Sequence, residues 1–238
     1  MSVLLLRLAG PMQSWGSGSR FIRRTTETAP TKSGIVGLLA AAYGRRRTDP
    51  IEDLVTIRIG VRIDQPGSMM RDFQTMQHPT KDETGSISHR YFLSDAVFLV
   101  ALEADQELLD GMADALRRPV FPLSLGRRSF PPAAPLVIGQ RDGDIAAALA
   151  GHRWIAPEFA QRRHRATSVR LTTVADCAVG TVGSEIWRDE PISFDPVRRE
   201  YGWRSVMRGH VTVPNPSVPA AAMSTALPEH QPMAALEI

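Results

Sequence analysis

One stretch constrains this chain more than any other: residues 30–44, Pro-Thr-Lys-Ser-Gly-Ile-Val-Gly-Leu-Leu-Ala-Ala-Ala-Tyr-Gly, followed by Arg45, Arg46 and Arg47. It reads as one amphipathic helix. Ser33, with Thr31 as second choice, can accept the free backbone N–H groups of a first turn. Ile35, Val36, Leu38, Leu39 and Ala42 supply an apolar face. Gly44 stands where a helix end favours positive φ, and the three arginines suit the negative end of the dipole. At the other end Lys32 and unpaired N–H groups form the geometry of a phosphate site. An ordinary capped core helix is the alternative that this stretch leaves open.

Around it the apolar pattern places strands at residues 3–8, at 55–63 with Arg58 and Arg62 on the polar face, and at 95–102. A second helix is expected over 105–117, and 123–125 or 136–138 supply a fourth strand. The order β-α-β-β-α-β is the signature of a ferredoxin-like domain, shared by RNA-recognition modules. Residues 64–94 are too long for a turn between the second and third strands. They hold Met69, Met70, Phe73, Met76, Tyr91 and Phe92, so we expect a projecting β-hairpin with its tip at 79–86. Residues 140–213 are expected to form a small β-rich C-terminal lobe (strands at 168–179, 192–194 and 203–213). From 214 onward the Pro/Ala-rich composition points to a disordered tail.

Two loops share one chemistry. Residues 12–24 combine Gly and Ser with Trp15, Arg20, Arg23 and Arg24; residues 125–132 read Leu-Gly-Arg-Arg-Ser-Phe-Pro-Pro. Close backbone approach, guanidinium charge and a stacking ring are what a single-stranded RNA groove needs. Charge is distributed to match. Residues 1–47 hold eight Lys/Arg against one acid and residues 117–170 ten against three, whereas the intervening 48–116 hold five against thirteen. Two basic blocks around an acidic one suggest a polyanion-binding face and a separate partner surface. With Cys177 alone there is no internal disulfide, a composition that fits a reducing cytoplasm; no apolar run reaches membrane-spanning length.

Enzyme signatures fit poorly. Thr31-Lys32-Ser33 lacks the glycine that a P-loop places before its lysine. His78, His89, His152, His164, His210 and His230 show no metal spacing, and no cofactor is implied. His89 and Tyr91 could share one strand face and serve as base and acid in metal-free RNA cleavage. Arg90, the obvious phosphate clamp, then faces the other way.

Five blocks in order, residues 6–16, 30–39, 71–75, 90–96 (Arg-Tyr-Phe-Leu-Ser-Asp-Ala) and 125–132, resemble the CasD family, the Cas-five subunit of the type I-E CRISPR surveillance complex Cascade. The resemblance implies an α+β fold: a ferredoxin-like (RRM-like, RAMP) domain over 1–139, with a thumb hairpin at about 64–94. It implies a non-catalytic subunit for antiviral defence that holds the 5′ handle of the CRISPR RNA. The partners it implies are the backbone subunit and the large PAM-reading subunit, with target DNA reached only through the complex. A sister subtype, in which the corresponding protein is an endoribonuclease for precursor RNA, supplies the alternative. The RNA contacts expected are Gln13, Ser14, Trp15, Arg20, Arg23 and Arg24 in the first loop and Lys32, Ser33, Arg45 and Arg46 on the helix. The hairpin would add Arg71, Phe73, Thr75 and Arg90, and the second loop Arg127, Arg128 and Ser129.

Overall fold

The structure, a computed structural model, describes residues 2–17, 23–77 and 84–218. In chain order the elements are β1 (Ser2–Ala9), β2 (Met12–Gln13), β3 (Arg23–Arg24), α1 (Lys32–Ala42), α2 (Glu52–Val55), β4 (Arg58–Gln65), β5 (Ser68–Gln77) and β6 (Thr84–Ser94). Then follow β7 (Val97–Ala104), α3 (Gln106–Arg117), β8 (Val137–Asp142), α4 (Ile145–Gly151), α5 (Glu158–Arg163), β9 (Ser168–Asp176), β10 (Glu185–Ser193) and β11 (Glu200–Pro214). The protein is a mixed α/β fold built mostly on antiparallel sheet. The main sheet runs β10-β11-β9-β4-β7-β1-β8; a second sheet runs β2-β6-β3, with β5 on the free side of β6.

β1 and β7 are continuous apolar runs, and because successive side chains point to opposite faces of a strand, both faces of the sheet are apolar there and need covering. Leu4, Leu6, Leu8, Phe98, Val100 and Leu102 pack beneath α1 and α3 with Ile35, Leu39, Leu109 and Met112. Val3, Leu5, Leu99 and Ala101 face the other way, onto Ile145, Ala148 and Leu149 of α4. Full burial of each such leucine contributes about 1.5–3 kcal/mol. Gly60 lets α4 approach: a Cβ there would stand 2.2 Å from Ile145 Cγ2.

The strands of residues 168–214 extend the main sheet through β9, which pairs with both β4 and β11. The fourth strand of the first half falls at β8, with residues 123–125 in a loop. Two local expectations are corrected. The N-cap of α1 is Thr31, whose hydroxyl accepts from Gly34 N–H at 3.2 Å. Arg62 is fully buried rather than on a polar face. Its Nε donates to Asp64 at 2.7 Å, and its guanidinium also donates to the carbonyl of Leu149 in the last turn of α4 and to those of His152 and Arg153 just beyond it. The projected hairpin tip lies largely outside the described residues, as do residues 219–238.

Candidate nucleic-acid interface

The second sheet is where basic residues distant in sequence meet. β5 and β6 pair antiparallel, with Asp72 opposite Arg90 and Arg71 opposite Tyr91. On the other side of β6, β3 pairs in parallel, with Arg24 opposite Arg90. Residues directly opposite share a face, so Arg24, Arg90 and Asp72 stand in a row across three strands. Arg24 and Asp72 are exposed. Arg90 carries a buried Nε without any hydrogen-bond partner.

The second basic loop is fixed beside this row. Gly126 has φ +90°, and a Cβ on it would come within 1.7 Å of Ser14 O, so only glycine fits. Ser14 N–H donates to Leu125 O at 3.0 Å, Leu125 N–H to Phe130 O at 2.7 Å, and Phe130 N–H to Arg127 O at 2.9 Å. Arg127 donates to Tyr91 O at 2.8 Å, and its guanidinium lies 5.5 Å from the Phe130 ring centroid. Phe130 in turn packs on Phe92, at 5.6 Å between centroids and on the same strand face as Arg90. Burial holds the Arg127 guanidinium below its usual pKa; Arg90 and Arg24 push it the same way and Asp72 opposes them. Arg128 and Ser129 sit exposed on this turn.

The remaining expected contacts divide. Trp15, taken as a stacking ring, is fully buried; its indole lies over Gly34 and donates to Gln13 Oε1 at 3.2 Å. Gln13 is buried too, donating to Ala96 O at 2.7 Å, and Ser14 donates to Tyr91 O at 3.2 Å. Lys32 and Ser33 are likewise internal. The helix start expected to receive phosphate is filled by the protein's own acids. Lys32 N–H donates to Asp189 Oδ2 and Lys32 Nζ to Glu190 Oε1, each at 2.8 Å. Ser33 Oγ lies 3.3 Å from Thr31 Oγ1. Arg45 pairs with Asp53, and Arg46 N–H bonds Asp49, at the opposite end of α1, roughly 16 Å along the helix axis. Arg20 and the side chain of Arg23 lie outside the described residues.

The other face of the hairpin holds Arg71, Phe73 (65% exposed) and Thr75, opposite Tyr91, His89 and Ile87. Arg90 does face away from His89 and Tyr91, but Arg71 stands on their side and supplies a cation. His89 Nδ1 is buried without a partner. Asp72 was missed by sequence reasoning; its only signal was a lone acid beside Arg71 in an otherwise cationic and aromatic arm. Among the described residues no cluster of three or more His, Cys, Asp or Glu is placed to hold a metal, and no helix is long and apolar enough to cross a membrane.

Comparison with known proteins gives this surface a context. The sequence profile of the family described as CRISPR-associated protein (Cas_Cas5) matches residues 3–207. The chain belongs to the Cas5 family. It is 35% identical over 158 residues to the CRISPR system Cascade subunit CasD of Escherichia coli strain K12, a match covering 58% of this chain and 70% of that protein. Among solved structures, a chain of a CRISPR RNA-guided surveillance complex superposes with a TM-score of 0.74 at 33% identity, covering 91% of this chain and 92% of that one. A crystal structure of a Cas protein gives 0.66 at 36% identity, with 91% and 97% covered.

Proposed function

We propose that this protein is a subunit of a type I-E Cascade-like complex that holds the 5′ handle of the CRISPR RNA without cutting it. The observation that carries this is the set of guanidiniums at Arg24, Arg90 and Arg127 on one face of the second sheet, with Arg128 on the adjoining turn. Arg24 and Arg90 have no ion-pair partner among the described residues. Unpaired arginines beside one another repel unless an anion joins them, and guanidiniums bind phosphate oxygens in pairs. The CasD relative and the surveillance-complex neighbour support the same reading. In it, the order β4-β7-β1-β8 with α1 and α3 is the ferredoxin-like core, and β5–β6 is a thumb whose other face, with Met69, Phe73 and Ile87 exposed, meets a neighbouring subunit. The backbone subunit and the large PAM-reading subunit are the partners we assign, and the cytoplasm the place of action.

The test is binding of the protein's own repeat-handle RNA as salt is varied. Arg90→Ala with Arg127→Ala weakens binding and lowers the salt slope by about 0.7 per lost phosphate contact; an unchanged slope removes these arginines from the interface. One observation keeps a second reading alive, since His89, Tyr91 and Arg71 share a face suited to metal-free RNA cleavage. The same incubations run on a denaturing gel decide it. We expect intact RNA, and site-specific cleavage lost in His89→Ala would establish the nuclease.

A further inference from the structure

The row of arginines contains one group that a surface built only for phosphate would omit. Asp72 lies directly opposite Arg90, on the face that also carries Arg24, and a carboxylate there repels any phosphate that the arginines attract. The usual explanation for such an acid is an ion pair, but Asp72 makes none among the described residues. Its Oδ1 accepts from Phe73 N–H at 2.8 Å, which fixes the carboxylate's orientation while leaving most of its acceptor capacity open. Asp72 is exposed and stands beside arginines that would hold a backbone, so a base attached to that backbone is within reach.

We infer that Asp72 is the base-reading group of this interface and that it selects guanine. This rests on the RNA-holding reading above. A carboxylate has acceptors and no donor. Among the RNA bases only guanine offers two adjacent donors, N1–H and the N2 amino group, on its Watson–Crick edge, which matches the two oxygens of a carboxylate. Adenine and cytosine each present one amino group next to an acceptor that the carboxylate repels, and uracil presents a single N–H flanked by carbonyls. Single-stranded RNA is read on these edges once a base is splayed from the stack. The repulsion between Asp72 and phosphate then has a use: it weakens binding of every RNA, and only a correctly placed guanine offsets it, so discrimination is gained at the expense of general affinity.

The experiment uses the full chain and four fluorescein-labelled RNAs: an eight-nucleotide uridine tract, and the same tract with one central guanosine, inosine or adenosine. Inosine keeps N1–H and lacks the amino group, so it removes one of the two donors. Wild-type protein is expected to bind the guanosine RNA about fivefold or more tighter than the other three, the low end for a bidentate base contact. Asp72→Ala is expected to bind all four alike, and the uridine tract at least as tightly as wild type does. Asp72→Asn, which keeps the shape but has one acceptor, should lose most of the preference. Wild-type binding without a guanosine preference overturns this assignment alone. So does an Asp72→Ala variant that loses affinity equally for all four RNAs, since Asp72 would then only prop the arginines. A wild-type protein that binds none of the four overturns the RNA-holding reading as well.

Discussion

Replacing Asp189 by Asn tests whether the start of α1 is a structural joint or an anion site. Asp189 is fully buried. It accepts from Lys32 N–H at 2.8 Å and from Arg204 Nε and Nη2 at 2.6 and 2.8 Å, while Arg204 also pairs with Asp176. Asparagine keeps the shape but turns an amide NH2 towards either Arg204 or the helix N–H, and it leaves Arg204 with one carboxylate. Removing one partner of a buried ion pair costs about 3–5 kcal/mol. The surviving Asp176 contact argues for the lower end, about 3 kcal/mol. For a chain of this size each kcal/mol shifts Tm by about 2–4 °C, so the expected drop is roughly 6–12 °C. Circular dichroism melts read it, and the drop should persist at high salt because buried pairs are little screened. RNA affinity at 25 °C should stay within about twofold of wild type. A Tm within about 2 °C of wild type would refute the structural argument. Tighter RNA binding with a steeper salt slope would show the helix start, once its acid is neutralised, accepting phosphate after all.

Two further outcomes follow from local geometry. Gly126→Ala forces a side chain into Ser14 O at a positive φ, so the 125–130 turn shifts, Arg127 leaves Tyr91 O, and RNA binding weakens with a shallower salt slope; a variant with wild-type affinity and slope would show the turn to be dispensable. Burial, with Arg141, Arg62 and Arg153 nearby, lowers the His152 pKa from its ordinary 6.5 to about 4, so the unfolded chain takes up a proton that the folded one refuses; stability is full above pH 6.5 and falls as pH drops towards 4, which melts between pH 7.5 and 4.5 will show, with a flatter profile in His152→Gln.

The strands β1 and β7 were legible as continuous apolar runs that are buried almost throughout, the helix at residues 32–42 from its capping residues and apolar content, and the second helix from a periodic apolar pattern that its burial reproduces; β4 was legible as a strand, although its burial does not alternate. Arg127 and Arg24 were legible as basic residues in Gly- or Ser-bearing loops. Trp15 was not, because what buries it is Gly34 beneath the ring and Gln13 on the indole, and a sequence does not display a tertiary contact made by the absence of a side chain. Lys32 failed for a related reason: its partners Asp189 and Glu190 lie 157 and 158 residues away. Arg62 carried a readable hint, since Asp64 is two residues on in the same strand and must share its face. Asp72 gained meaning only from the register that sets it opposite Arg90.

The corner where the hairpin leaves the main sheet is closed by tight backbone contacts and one side-chain hydrogen bond. Gly67 has φ +70°, and a Cβ there would press on Ser94 O at 2.3 Å and Ala96 N at 2.8 Å; Asp95 has φ +56°, and Gln65 donates to Asp95 O at 2.6 Å. β4 and β7, adjacent inside the main sheet, run straight into β5 and β6, adjacent in the second. Mechanically the hairpin is a cantilever with a welded root: a load on its arms is carried into two interior strands and not absorbed at a hinge. Over evolutionary time Gly67 is the residue of that root least open to replacement, since any side chain there would collide with the backbone of the returning strand.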